Sequence, residues 1–180
     1  SILLNYIKKN NLNIGLLGGS FDPAHKGHLK ISKIAKKKFK LKYVIWAITL
    51  RNPFKKSASL NIESRIKNLK KIIKNNKFIK MEYLEKKTNS KKSIDIVKFL
   101  LKRNKSLKIY FIMGADNLIQ LNKWKKWKEL VKLVKVIVFD REGYKSRALR
   151  SKAAKQMNKK QWIFVNFKKI NISSSKIRKI

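Results

Sequence analysis

Short apolar runs alternate along the chain with stretches in which apolar residues recur every three or four positions. The strand-like runs are residues 14–17, 43–48, 78–83, 109–113, 136–139 and 162–165. Helical spacing relates Leu29, Ile31, Ile34, Ala35 and Phe39, then Ile62, Ile66, Leu69, Ile72 and Ile73, then Ile94, Val97, Leu100 and Leu101. A further stripe, Trp124, Trp127, Leu130, Val131 and Val134, predicts a core-facing helix with Trp127 in the core and Trp124 shared with a site. This alternation specifies an α/β protein: one doubly wound, mostly parallel sheet with helices on both faces. At 180 residues and 43% hydrophobic content, without repeat or linker, the chain reads as a single domain over 1–180. In such sheets ligands bind beyond the carboxyl ends of the strands.

The chemistry concentrates at one such end. Segment 18–28, GGSFDPAHKGH, joins the first strand-like run to the first helical pattern. Gly18 and Gly19 lack Cβ atoms, which lets a ligand approach the backbone and permits positive φ, while Pro23 stiffens the exit. The helix is expected to begin near His25 and to turn its unpaired N–H groups and positive dipole end toward an anion above the glycines. His25 and His28, the chain's two histidines, share one face of that first turn and can donate to the same phosphate. Near the other end, Ser173, Ser174 and Ser175 suit the cap and first turn of a short helix, with Arg178 within reach of the same anion; a capped surface helix is the alternative.

These segments resemble the nicotinate mononucleotide adenylyltransferase family of the nucleotidyltransferase superfamily, which shares H-x-G-H. The first motif matches its GGSFDPxHxGH, and ISSSKIR at 172–178 is similar to its I-S-S-T-x-I-R, with Ser175 keeping the hydroxyl of threonine. MGADNLIQLNKWKKW at 113–127 is similar to its G-x-D segment and downstream tryptophan.

The resemblance implies a Rossmann-like fold and adenylyl transfer from ATP to nicotinate mononucleotide, yielding nicotinate adenine dinucleotide and pyrophosphate for NAD biosynthesis. It implies His25, His28 and Arg178 as catalytic residues, and ATP contacts from Gly18, Gly19, Ser20, Phe21, Gly114, Asp116, Ser173, Ser174 and Ser175. Asp116 would contact the ribose or nearby phosphates, its alternative being a helix cap, and Trp124 would lie against the pyridine ring. Asn52 and Lys55, in TLRNPFK at 49–55, would face the mononucleotide, although Leu50 and Arg51 depart from the family pattern and Lys55 is alternatively a solvated lysine. Ser93 matches a T-x-D-T segment in which Ile96 replaces the last threonine, and it is alternatively an N-cap. Arg141, with Gly143 and Tyr144, resembles R-P-G-Y with Glu142 for proline, and is either a phosphate ligand or a solvent-facing turn residue. Mg²⁺ is the implied cofactor, held mainly by nucleotide phosphates, with no protein metal site, because the motifs contain no carboxylate cluster.

Charge and composition change this picture little. The net charge of +39 comes from 41 lysines and only seven arginines, spread along a chain rich in asparagine and isoleucine. That pattern reads as drift toward A- and T-rich codons, whereas a dedicated nucleic-acid module clusters its charge and favours arginine or aromatic platforms. Non-specific, salt-sensitive binding to polyanions is still expected, without a specific nucleic-acid partner. Cysteine is absent, excluding disulfides and thiolate metal sites. The N-terminal SILLNYIKKNN is too short in its apolar stretch for a secretory signal, and no segment reaches membrane-spanning length, so a cytoplasmic enzyme is the expectation. The rival readings are a phosphopantetheine adenylyltransferase, an enzyme preferring nicotinamide mononucleotide, and an inactive relative that binds RNA. Oligomeric state is not encoded in the pattern.

Overall fold

The computed structural model describes residues 2–19, 26–49 and 62–167. Among them are the strands β1 (Asn13–Gly19), β2 (Tyr43–Ile48), β3 (Ile79–Glu82), β4 (Lys108–Gly114), β5 (Lys135–Phe139) and β6 (Trp162–Val165). They form one sheet in the order β3-β2-β1-β4-β5-β6, every neighbouring pair parallel. All six expected strands are present, with ends that differ from the apolar runs by two residues at most. The helices are α1 (Ile2–Lys9), α2 (Lys26–Phe39), α3 (Ile62–Ile73), α4 (Leu84–Thr88), α5 (Ser93–Arg103), α6 (Ala115–Gln120), α7 (Trp127–Leu133), α8 (Lys145–Leu149) and α9 (Lys152–Gln156).

Successive strand residues point to opposite faces, and both faces are buried, which is why the strands read as continuous apolar runs. Ile14, Leu16, Ile45, Phe111, Val136 and Val138 pack into the layer that contains Leu4 and Ile7 of α1, Val97 of α5 and Leu130 of α7. Leu17, Val44, Trp46, Ile112 and Ile137 pack into the layer that contains Ala35 of α2 and Leu69 of α3. The chain winds outward from β1 to β3 through α2 and α3, returns to β4 beside β1, and winds outward again to β6. Helices on both faces follow from right-handed crossovers running in opposite directions from the centre. The switch of direction falls between β1 and β4.

Two elements depart from expectation. The stripe from Trp124 to Val134 is not one helix: a 3-10 turn covers Leu121–Lys123, Trp124 is extended, and Lys126 takes φ 54° before α7 begins at Trp127. Trp127 is in the core and Trp124 sits at its margin, as expected; the break in the helix between them is what spacing alone does not encode. The N-terminal segment, weighed from sequence only as a targeting signal, forms α1. Its Leu3, Leu4 and Ile7 are buried, and Asn104 Nδ2, beyond the end of α5, donates to the carbonyls of Ile7 (2.9 Å) and Asn10. Ile7→Ala should destabilise the protein by about 2–4 kcal/mol, as expected for truncating a buried isoleucine, measured by urea unfolding; an unchanged midpoint would mean that α1 is not docked.

Candidate active site at the strand switch point

β1 and β4 are hydrogen-bonded neighbours whose connections leave toward opposite faces, so their carboxyl ends open a crevice at Gly18, Gly19 and Gly114. Gly18 is paired with Ala47 in extended strand, and the left-handed conformation anticipated as available to it is not used. Its relevant property is steric, because among the described residues beyond its chain neighbours a Cβ there would meet no atom within 4 Å. α2 is described from Lys26, next to His25, near which the helix was expected to begin, and His28 lies near its described start.

His28 is anchored by a buried polar chain that sequence reasoning did not identify. Ser32 Oγ donates to the His28 carbonyl at 2.8 Å, and Trp46 Nε1 of β2 donates to Ser32 Oγ at 2.8 Å. Ser32 and Trp46 are both fully buried. The imidazole stands edge-on to the same indole, with ring centres 6.0 Å apart. The i, i+4 spacing of Ser32 from His28 was the only signal available, and it gives no hint of a tryptophan 14 residues further on.

Gly114, Asp116 and Arg141 form a second unit. Asp116 lies two residues beyond β4 and Arg141 two beyond β5, and the pairing of Gly114 with Phe139 brings the two strand ends side by side. Arg141 donates from NH1 to Asp116 Oδ2 at 2.7 Å. Asp116 does not cap a helix, since Gly114 holds the N-cap position of α6 without a side-chain bond. Its carboxylate folds back over Gly114, where a Cβ would stand 2.6 Å from Oδ1. Gly114 has φ −83° and ψ 162°, so it is required for space and not for conformation. Arg141 opens a turn in which Tyr144 N–H donates to its carbonyl at 2.9 Å and Gly143 takes φ +84°. The Arg141 side chain is 62% exposed. An ion pair so open to water contributes at most about 1 kcal/mol to stability, so its effect is to orient both groups.

A cavity of about 50 Å³ lies at the same end of the sheet. Its walls include Gly18 of β1, Thr49 after β2, Phe111 of β4, and Lys91, Ser93 and Ile96 at the start of α5. Trp124 does not line the cavity itself but packs edge-on against Phe111, which does, with ring centres 5.8 Å apart. Ser93 is not an N-cap: Lys92 holds that position, and Ser90 Oγ accepts from Lys92 N–H and donates to Asp95 Oδ2. Buried Arg65 fixes the mouth by donating to the Thr49 carbonyl at 2.7 Å. Burial, reinforced by the Glu85 carboxylate and opposed by Arg65, holds the nearby Tyr83 phenol above its usual range. Neither Arg65 nor Glu85 was singled out from sequence. Ser20, Phe21, His25, Asn52, Lys55, Ser173, Ser174, Ser175 and Arg178 lie outside the described residues.

The cytidylyltransferase-like family model matches residues 16–180. The chain belongs to this family. It is therefore a nucleotidyltransferase, as its motifs suggested. A probable nicotinate-nucleotide adenylyltransferase of Pelagibacter ubique is 54% identical over 177 residues, covering 96% of this chain and 98% of the relative. One from a Ruegeria species is 31% identical, covering 93% of this chain and 97% of that protein. Among solved structures, the Plasmodium falciparum nicotinic acid mononucleotide adenylyltransferase complexed with NaAD matches with a TM-score of 0.73 at 23% identity, over 93% of this chain and 83% of that one. That likeness establishes the Rossmann-like fold. Among the described residues no helix is long and apolar enough to cross a membrane.

Ser32→Ala removes the hydroxyl that links Trp46 to His28. Stability should fall by about 1–2 kcal/mol, the scale of a buried hydrogen bond; an unchanged thermal midpoint would show that the chain carries no energy.

Proposed function

We propose that this nucleotidyltransferase makes nicotinate adenine dinucleotide from ATP and nicotinate mononucleotide. The observation that carries the reading is the 54% identity, across almost the whole chain, to a protein named for that activity. The cavity at the switch point is compatible with it, because Lys91, Ser93 and Glu85 line it together with Phe111 in a mostly apolar wall.

A phosphate oxygen of the mononucleotide attacks the α-phosphorus of ATP, a new P–O bond forms, and the bond from that phosphorus to the bridging oxygen of pyrophosphate breaks. The nucleophile is already anionic, so no protein nucleophile is required and the protein's task is alignment and charge stabilisation. His28, near the described start of α2, donates an imidazole N–H to the phosphates, with His25 beside it in sequence. The Trp46–Ser32 chain fixes the backbone that carries His28, which limits reorganisation as charge develops on the leaving group. Gly18, uncrowded among the described residues, admits the triphosphate close to the end of β1. Asp116 accepts from ribose hydroxyls while Arg141 both orients that carboxylate and turns its exposed donors to phosphate. Asn52 and Lys55 approach the mononucleotide from the loop after β2. Ser173, Ser174, Ser175 and Arg178 hold the β- and γ-phosphates.

The cavity is smaller than the few hundred Å³ that a whole nucleotide requires. It takes the pyridine end of the acceptor, with Trp124 and Phe111 on the ring side and Lys91 and Ser93 near its carboxylate. Mg²⁺ on the ATP phosphates would supply further charge neutralisation, held mainly by the nucleotide itself, because the sequence motifs offer no carboxylate cluster to cage it. The cytoplasm, where both substrates are available, is the proposed compartment.

Pyrophosphate release from ATP and Mg²⁺ with nicotinate mononucleotide, nicotinamide mononucleotide and phosphopantetheine offered separately should be fastest with the first; faster turnover with either of the others would reassign the acceptor. His28→Ala should keep the fold and lower turnover by roughly two orders of magnitude, the scale of losing one transition-state donor, and near wild-type turnover would remove His28 from the mechanism. Gly114→Ala drives a methyl group into the space of the Asp116 carboxylate, the end of a rotatable side chain. The expected result is a stability change under about 1 kcal/mol with a rise in the KM for ATP matching that of Asp116→Ala, and the double variant should be no worse than either. Additive effects would disprove the shared unit.

A further inference from the structure

The opposite end of the sheet from the crevice carries an open groove of about 350 Å³, lined by Lys36, Leu41, Lys42, Tyr43, Lys77, Phe78 and Lys80. Among the described residues no carboxylate lines it and none of its four lysines is ion-paired. Its two aromatic rings are half-buried, and each lies under an ammonium group: Lys36 Nζ is 5.5 Å from the ring centre of Phe78, and Lys80 Nζ is 5.4 Å from that of Tyr43. The rings sit on firm backbone, because Val44 N–H donates to the Phe78 carbonyl at 2.9 Å and Lys42 N–H to the Asn13 carbonyl at 2.8 Å. Tyr43 is also braced edge-on by Tyr6, with centres 5.8 Å apart. Among the described residues β3 is an edge strand of the sheet.

Charge is spread over the whole chain, but here it is concave, free of acids and interleaved with flat apolar faces. We propose that this groove is a sequence-independent binding site for single-stranded nucleic acid, separate from the nucleotide crevice. Phosphates draw the lysine ammonium groups off the two rings, and the exposed ring faces accept stacked bases, which a duplex cannot offer. The site lies at the amino ends of β2 and β3, whereas substrates bind beyond the carboxyl ends, so a bound strand leaves adenylyl transfer unobstructed.

The test is fluorescence anisotropy of a labelled ten-nucleotide oligouridylate across a salt series. Two charge-matched variants are compared: Lys36, Lys42, Lys77 and Lys80 changed together to Gln, and the exposed Lys102, Lys105, Lys128 and Lys159 changed together to Gln. The groove variant should bind at least tenfold more weakly than the control variant, with a log–log salt slope shallower by roughly 3, at about 0.7 per lost phosphate contact on a single strand. Tyr43→Leu combined with Phe78→Leu should weaken binding about fivefold without changing the slope. Saturating ATP should leave the oligonucleotide bound, and the groove variant should retain wild-type adenylyl transfer. Equal losses in the two lysine variants would overturn the proposal in favour of a diffuse field. Wild-type affinity in the aromatic variant, or release of the oligonucleotide by ATP, would overturn it equally.

Discussion

Parallel pairing of β1 with β4 is the constraint on which the rest of the molecule depends. Two adjacent strands end at the same level, yet their crossovers must leave to opposite faces, because one feeds the half of the sheet wound through α2 and the other the half wound through α6 and α7. No helix can cover both ends at once. The crevice that remains is bordered by backbone at Gly18 and Gly114: among the described residues nothing beyond its chain neighbours crowds Gly18, and the Asp116 carboxylate occupies the space above Gly114.

Around that opening, side chains are held by hydrogen bonds buried beneath the surface. Trp46 and Ser32 reach the helix carrying His28 from below, and Arg65 holds the last described carbonyl of the β2 exit at Thr49. Such bonds are strong constraints because a buried donor left without an acceptor costs more than the bond itself returns. The division of labour suits a chain with nine acidic residues against 48 basic ones. Surface ion pairing cannot organise it; among the described residues the ion pairs involve Glu82, Glu129 and Asp116. The Glu129 carboxyl is held below its usual range chiefly by its hydrogen bond from Lys98. Rigidity therefore comes from the apolar layers and the few buried polar contacts that cross them.

The same excess of lysine has two consequences at the two ends of the sheet. A net charge of +39 favours encounter with nucleotide phosphates in general, so specificity must come from the crevice at the carboxyl end. At the amino end, lysines over aromatic rings form a surface whose geometry, and not merely whose sign, suits an extended polyanion.

The six strands and the doubly wound arrangement were legible in sequence because they are written locally. Apolar runs mark strands buried on both faces, helical spacing marks the crossovers, and GGSFDPAHKGH is long enough to be specific by itself. The family and its chemistry followed from that motif and its two companions. What sequence could not supply were relationships fixed only by packing. The left-handed Lys126 splits an otherwise regular stripe, so Trp124 meets Phe111 instead of continuing a helix. Arg141 and Asp116, 25 residues apart, pair because the strand register brings their exits together. Ser32 is an ordinary helix serine until Trp46 rises beneath it, and Leu3, Leu4 and Ile7 are a short apolar stretch until the sheet offers a face to cover. By itself the sequence determined the elements and their chemistry; the tertiary structure decided the partners, because a side chain's neighbours depend on register and layer, which no local pattern contains.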